Sequence, residues 1–216
     1  MMISIDPELK RAYPQLALGC VKGTVVVRNS PADLVDELNA RARELSSQPA
    51  VIDSPQLAAV RQCYKSLGKD PSRYRGSAEA LIRRVLSGKD LYLINNVVEV
   101  NNLVSLESLC PVGSYDLGNV VEPIVFRSGR PGESYKGIGK GPINIAELPV
   151  FCDSNGPFGS PTGDSERAMI KATTTRILTA IFGFDGSGSL ATWAQRAISL
   201  LTRHADGSDL SFEIVQ

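Results

Sequence analysis

The order in which helix-like and strand-like segments follow one another is the feature that most constrains how this chain folds. Before residue 90, apolar residues recur at helical spacing in three segments, and a serine or a Ser-Pro pair opens each of them. After residue 90, short β-branched runs alternate with glycine and proline turns, which predicts strands. Helices that precede a run of strands favour an α+β domain over a doubly wound parallel sheet.

The same patterns give approximate boundaries for the elements. Helix starts are predicted at Ser30, Ser54, Ser77 and Ser189, and Gly88 ends the third helix. Strands are predicted at 3–5, 25–27, 91–94, 97–98, 124–126, 149–152, 177–182 and 210–214. The remaining predictions are a short helix at 101–109 and a long loop at 153–165.

The composition is that of a globular protein with an ample core. Hydrophobic residues make up 43% of the 216 residues, and 23 basic side chains balance 23 acidic ones. Proteins that coat nucleic acid non-specifically are usually strongly basic, so we expect no DNA partner and only a local surface for any polyanion. We expect no signal peptide and no membrane span, because no apolar run is suited to either.

Cysteine and histidine usage limits the available chemistry. The four cysteines lie far apart, which excludes a zinc-knuckle spacing and favours reduced thiols in a cytoplasmic protein. His204 is the single histidine, so one chain cannot supply a two-histidine metal site. We place His204 at the end of the last helix, where a cation suits the helix dipole, and expect neither a metal nor a cofactor.

Charge is unevenly distributed although it sums to zero. Residues 61–89 hold eight basic and two acidic side chains, whereas residues 90–126 hold five acidic and no basic ones. One interpretation of the basic segment is a solvated helix face. The alternative is a surface that contacts phosphates, because the guanidinium fork matches phosphate geometry. The RNA-binding residues would then be Arg73, Arg75, Arg83 and Arg84.

A polar string interrupts an otherwise apolar stretch at residues 95–105. It contains four asparagines and Glu99. Buried amides need hydrogen-bond partners, because an unpaired one costs about 1–3 kcal/mol. The asparagines therefore either cap and bridge turns or line a polar pocket.

Four short blocks occur in an order that is similar to a known domain. They are 77–84, 98–105, 111–116, and Arg127 with Gly132 and Glu133. They resemble the editing and tRNA-binding domain of the phenylalanyl-tRNA synthetase beta subunit, the B3/4 domain, in which runs close to V-D-x-T-N-x-V, P-x-H-x-F-D and G-E follow one another. The resemblance covers about residues 70–185. Nothing resembles a synthetase catalytic core, so we do not expect the chain to aminoacylate tRNA.

This resemblance implies a fold and a partner. The implied fold is α+β, with a β-rich barrel-like or sandwich core and flanking helices. Residues 1–69 would form a strand and helix extension packed on the core, and residues 70–216 the editing-like domain, as one compact unit. The implied partner is the aminoacylated 3′ end of a tRNA, because synthetase-borne members hydrolyse tyrosine wrongly attached to phenylalanine tRNA.

The resemblance also assigns residues to a substrate pocket. Asn101 and Asn102 fall where the family has Thr-Asn, Gly113 where bacterial synthetases have histidine, and Thr179 about where they have a pocket glutamate. The two departures leave the amino acid removed by this chain open. The remaining substrate-binding candidates are Ser114, Tyr115, Asp116 and Glu133.

Ester hydrolysis in such a pocket needs an oriented water and donors for the developing oxyanion. We expect Asn102 and Ser105 to position the water, with Glu99 or Glu133 as a polar anchor. The backbone of Gly113 and Ser114 would contact the carbonyl. Two hypotheses follow: a freestanding aminoacyl-tRNA deacylase that acts in trans, or a module that binds tRNA, an amino acid or a related small ligand without turnover.

Overall fold

The computed structural model of the protein describes residues 2–216. The α-helices are α1 Pro7–Ala12, α2 Ala32–Ser46, α3 Pro55–Ser66, α4 Ser77–Leu86, α5 Asn96–Ser108 and α6 Leu190–His204. The strands are β1 Ile3–Ile5, β2 Ala17–Thr24, β3 Val112–Asp116, β4 Ile124–Ser128, β5 Ser134–Lys136, β6 Pro142–Asn144, β7 Pro149–Asp153, β8 Gly156–Gly159, β9 Arg176–Gly183 and β10 Ser208–Val215. The predicted α+β class is confirmed.

Two four-stranded sheets and a small hairpin contain these strands. The first sheet has the order β10-β2-β9-β3 and is antiparallel throughout. The second has the order β1-β4-β7-β8, in which only the β1–β4 pair is parallel. Strands β5 and β6 form the hairpin. The sheets do not close into a barrel, so of the two predicted cores the sandwich is the one that forms.

Alternation along β9 shows how the layers pack. Ile177 and Ile181 contact the apolar faces of α2, α5 and α6, whereas Leu178 and Phe182 face the second sheet. The space between the sheets is filled by aromatic side chains, and the rings of Phe126 and Phe151 lie 4.7 Å apart between centroids. The first sheet therefore lies between a helical layer and the second sheet.

The N-terminal residues are built into this core. Strand β2 lies between β10 and β9, and β1 pairs with β4. The predicted strand at 25–27 is wrong, because β2 ends at Thr24. A domain boundary at residue 69 stays a prediction, although the segment before it supplies an internal strand of the first sheet.

The largest error in the predicted elements concerns the polar string. Residues 91–95 form no strand, and the predicted strand at 97–98 belongs to α5, which begins five residues before the expected short helix. Asn95 caps this helix by accepting a hydrogen bond from the Val98 amide at 3.0 Å. The predicted loop at 153–165 contains β8. Helix α2 also begins later than expected, with Pro31 rather than Ser30 at the cap position.

Several predicted elements are confirmed. Helices α3, α4 and α6 form close to the bounds expected for the helices at Ser54, Ser77 and Ser189. Strands also form close to their expected bounds at 3–5, 124–126, 149–152, 177–182 and 210–214. All four cysteines are buried and unpaired. Within residues 2–216, no helix has the length and apolarity needed to cross a bilayer.

The basic segment is organised around one buried carboxylate. Glu79 on α4 is 5% exposed and accepts hydrogen bonds at 2.8 Å from Arg61 and from Arg83, with Arg75 at 3.5 Å. Burial acts to raise the pKa of Glu79, but the hydrogen bonds from Arg61 and Arg83 outweigh it and lower the pKa. Part of the positive charge therefore ties α3 to α4.

Replacing Glu79 with glutamine is expected to lower the free energy of unfolding at pH 7 by about 1–2 kcal/mol. The loss is no larger because the arginines are partly exposed, and solvent screens their attraction to the carboxylate. A depressed carboxyl pKa stabilises the fold above the pKa of the unfolded chain and ceases to do so as the pH falls through the folded value. The difference from the parent should therefore shrink below about pH 4. Urea unfolding at several pH values measures it, and a difference independent of pH would contradict the assignment.

Candidate functional site

A cleft of about 410 Å³ lies where α4, α5 and β3 meet. Asn102 and Ser105, the two predicted water-positioning residues, line it from α5, and Arg84 lines it from α4. The remaining wall includes Tyr92, Lys140 and Thr162. Of the residues 2–216 that line the cleft, Arg84 and Lys140 carry charge and none is acidic.

A hydrogen bond between distant segments shapes one side of this cleft. The Ser77 amide at the start of α4 donates to the Pro161 carbonyl at 2.7 Å, which holds the 160–164 loop against the helix. The loop is fixed further by Tyr64, whose hydroxyl lies 2.8 Å from that of Thr162. Tyr135 donates to the Gly163 carbonyl at 2.5 Å.

The four asparagines of the polar string have different environments. Asn95 caps α5, and Asn96 is buried and donates to the carbonyls of Val26 and His204 at 2.9 Å. Asn101 accepts a hydrogen bond from the Ser114 hydroxyl at 2.9 Å. Asn102 is half-buried and, within residues 2–216, its side-chain amide has no hydrogen-bond partner. Asn95 therefore caps a helix, Asn96 and Asn101 join separate segments, and Asn102 offers a free amide to the cleft.

Ser105 lies one turn beyond Asn102 and is 5% exposed. Its hydroxyl donates to the Cys110 carbonyl at 2.8 Å, so its oxygen retains acceptor capacity toward the cleft. The Cys110 thiol is not a nucleophile here, because burial above all, with the charge of Asp185, raises its pKa to about 12.

A buried polar chain joins α5 to the first sheet. The Ser114 hydroxyl contacts both Asn101 and Thr179, whose hydroxyl lies 2.6 Å away. Thr179 is fully buried. The structure thus brings Asn101, Ser114 and Thr179 together, but none of them lines the cleft, and their role in substrate binding stays a prediction.

Strand β3 is the edge strand of the first sheet. The Phe182 amide of β9 donates to the Pro111 carbonyl. Backbone groups alternate in direction along an antiparallel strand, so the amides and carbonyls of Gly113 and Tyr115 point toward β9. The amide and carbonyl of Ser114 therefore point to the open edge. An unpaired amide at this edge is a donor of the kind that the sequence predicts for a substrate carbonyl.

Tyr115 and Asp164 form a dyad beside Gly113. The Tyr115 hydroxyl donates to Asp164 Oδ1 at 2.9 Å, and the Ser160 amide donates to the same oxygen at 3.2 Å. The second oxygen, Oδ2, lies 3.3 Å from the position that a Cβ on Gly113 would take. Burial raises the pKa of Asp164 to about 7, against the effect of those two hydrogen bonds.

The three carboxylates predicted from the sequence, Glu99, Asp116 and Glu133, lie in separate networks. Glu99 is fully buried and accepts from Ser30 and, at 2.7 Å, from the Ile94 amide. Burial raises its pKa despite these hydrogen bonds. Asp116 accepts from the Thr174 hydroxyl at 2.8 Å and orders the turn after β3.

Glu133 is paired with Arg127 through two hydrogen bonds of 2.8 Å, and it lines a different cavity. Hydrogen bonds from Arg127 lower the pKa of Glu133. Neither Glu99 nor Glu133 lines the cleft that contains Asn102.

Two of the four predicted RNA-binding arginines are near the Glu79 carboxylate, and the other two lie over tyrosine rings. Arg75 and Arg83 are within reach of Glu79. Arg73 lies over the Tyr74 ring at 5.8 Å. Arg84 alone among them lines the cleft, and in the described chain it forms no ion pair with a carboxylate. Their contacts with RNA stay a prediction.

Comparison with family models finds a match. The B3/4 domain family matches residues 59–204, about two thirds of the chain. The chain belongs to the B3/4 domain family. The predicted resemblance to the tRNA-binding and editing domain of phenylalanyl-tRNA synthetase beta subunits is thereby confirmed.

This B3/4 domain is also similar to a solved structure, an N-terminal fragment of the phenylalanyl-tRNA synthetase beta subunit from Pyrococcus horikoshii. The match has a TM-score of 0.48 and 11% sequence identity, and it covers 99% of this chain. The chain spans 50% of the length of that fragment. None of the curated proteins matches.

Three residues in or beside the B3/4 cleft are absent from the sequence-based prediction: Tyr92 and Lys140 line the cleft, and Asp164 lies beside Gly113 without lining it. Tyr92 and Lys140 come from connecting segments, and Asp164 lies in a loop rich in glycine, proline and serine. Their positions depend on long-range contacts that local patterns do not contain. No cluster of three or more metal-ligating side chains occurs in residues 2–216.

Proposed function

We propose that this B3/4 domain binds the aminoacylated 3′ end of a tRNA in the α4–α5–β3 cleft and hydrolyses its ester bond in trans. The observation that carries the proposal is the free Asn102 amide in a cleft that has cations and no carboxylate in its wall. The size of the cleft also fits, since ligand pockets are commonly about 300–1,000 Å³. A tRNA substrate would place the protein in the cytoplasm.

The proposed chemistry uses the groups around the open edge of β3. The Ser114 amide and the Asn102 side chain would orient and polarise the ester carbonyl. Asp164 would accept a proton from water as the water oxygen attacks the carbonyl carbon. The ester bond then breaks and the ribose oxygen takes up the proton held by Asp164, which yields the free amino acid and the tRNA and restores the carboxylate.

In this proposal Asp164 replaces Glu99 or Glu133 as the carboxylate expected in the site. Glu99 and Glu133 are bonded within their own networks. None of the three carboxylates lines the cleft, but Asp164 lies next to its wall. Asp164 has one carboxylate oxygen directed toward Gly113, and Val112, the preceding residue, lines the cleft. A pKa of about 7 suits a general base near neutral pH.

Incubation with a panel of mischarged tRNAs tests the activity. We expect accelerated release of at least one amino acid relative to buffer. If no tRNA in the panel is deacylated while tRNA is still bound tightly, the domain is the binding module of the second hypothesis and the hydrolytic proposal fails.

Replacing Asn102 with alanine should reduce the deacylation rate by about 10- to 100-fold with little loss of stability. The amide is free in the folded protein, so its removal breaks no internal hydrogen bond but removes a donor to the substrate. Single-turnover deacylation measures the effect. Asn155→Ala, at an exposed turn, is the matched control and should retain the parental rate. Equal rates for both variants would exclude Asn102 from the site.

A further inference from the structure

We propose that Tyr92 and Arg84 form a stacking platform for the nucleobase of the 3′-terminal nucleotide, the nucleotide that carries the ester. This proposal rests on the proposed function, because it takes the cleft as the site of the aminoacyl group. It adds the chemical class of the ligand at a second subsite, which is a planar, uncharged base whose nucleotide carries a phosphate on its 5′ side.

The geometry of the pair supports stacking. Tyr92 is 69% exposed, and the Arg84 guanidinium carbon lies 3.9 Å from the centre of its ring. Arg84 is held by a hydrogen bond from Nε to the Asp90 carbonyl at 2.5 Å. One face of the ring is therefore covered by a fixed cation, and the high exposure leaves the other face open to a base.

The location supports a terminal nucleotide. Tyr92 and Arg84 line the same cleft as Asn102, so a base on Tyr92 lies next to the group attached to its own ribose. Lys140 lines this cleft as well, is exposed and forms no ion pair within the described chain. Two unpaired cations beside an aromatic ring are typical of sites that bind single-stranded nucleic acid.

A protein partner is the competing occupant, because Leu93 and Ile94 are also exposed, at 54% and 64%. These two side chains, however, line a separate pocket with Ser30 and Val35 that contains no charged residue. Tyr92 is the residue of the segment that lies with the cations. The observations therefore favour RNA at Tyr92.

A binding cycle with uncharged RNA tests the platform without any hydrolysis. The probes are an RNA minihelix with a single-stranded 3′ terminus and the same RNA with an abasic terminal nucleotide, and fluorescence anisotropy gives Kd. We expect Tyr92→Ala to weaken binding of the intact RNA about tenfold. Tyr92→Phe should keep the parental affinity, and Leu93→Ala, the matched control at the neighbouring exposed position, should keep it too. The abasic RNA should bind the parent about tenfold more weakly and be insensitive to Tyr92→Ala.

Several outcomes would overturn the platform. One is an unchanged Kd of Tyr92→Ala for the intact RNA, and another is an equal loss for both RNAs. A third is no RNA binding by the parent. A fourth is that Tyr92→Ala dissociates a homodimer in sedimentation while RNA affinity is unchanged, which would assign the segment to a protein interface.

If the parent deacylates tRNA and Tyr92→Ala does so equally well with equal Kd, the platform fails and the proposed function stands. If RNA binding depends on Tyr92 but no tRNA is deacylated, the platform stands and the proposed hydrolysis fails.

Discussion

Replacing Asp164 with asparagine is expected to lower the deacylation rate at pH 7.5 by about 100-fold or more, which is the usual contribution of a positioned general base. The substitution keeps the shape of the side chain and its acceptor for the Tyr115 hydroxyl and the Ser160 amide, so the loop should stay in place. What the variant loses is a group that accepts a proton from water. Kd for uncharged tRNA should therefore be unchanged.

The pH dependence of the parent provides a second test of Asp164. A base works only when ionised, so the rate should rise with pH and level off above the Asp164 pKa of about 7. Tyr115 donates to this carboxylate and Tyr135 interacts with it electrostatically, and burial raises the pKa of both tyrosines well above the range of the assay. The rising limb therefore belongs to Asp164, and it should be absent in Asp164→Asn.

Tyr115→Phe distinguishes this assignment from a structural role. The Tyr115 hydroxyl stabilises the ionised carboxylate, so its removal should move the rising limb to higher pH while leaving the plateau rate similar. A rate for Asp164→Asn within twofold of the parent at every pH would exclude the carboxylate from the chemistry.

The sequence predicts much of the sheet structure because its signal there is local. The apolar run at 177–182 and the alternating apolar residues at 210–214 are both local strand signals, and both segments form strands. The segment around Val97 and Val98 shows where local propensity fails. Two β-branched residues favour a strand, but the Asn95 cap and the packing of α5 between α2, α4 and α6 outweigh that preference.

The site is predictable only in part, for a similar reason. Asn102 and Ser105 are three residues apart, so one helix places them on one face, and both line the cleft. Glu99 is also three residues from Asn102, but it is bonded to Ser30, from a distant segment, and to the Ile94 amide just before α5, and it does not line the cleft. Helical spacing reveals which residues share a face and does not reveal what the rest of the chain places opposite each of them.

A glycine outside the cleft wall should have a large effect on stability. Gly159 in β8 lies against the Tyr115 ring, and a Cβ at Gly159 would be 2.1 Å from Tyr115 Cε1. The ring cannot move aside, because it is fully buried and packs edge-on against Phe158 and Phe151 at 5.1 and 5.7 Å between centroids. Gly159→Ala is therefore expected to lower the free energy of unfolding by about 3 kcal/mol.

The same substitution connects the core to the site. Any shift of the Tyr115 ring that accommodates the new methyl group moves its hydroxyl away from Asp164, so residual folded protein should also deacylate more slowly. Gly188→Ala is the matched control, since no atom lies within 4 Å of its added Cβ and its backbone is not left-handed. Urea unfolding measures both variants. If Gly159→Ala proves as stable as Gly188→Ala, the close packing of β8 on Tyr115 is wrong, and with it the support that holds the Asp164 carboxylate beside the cleft.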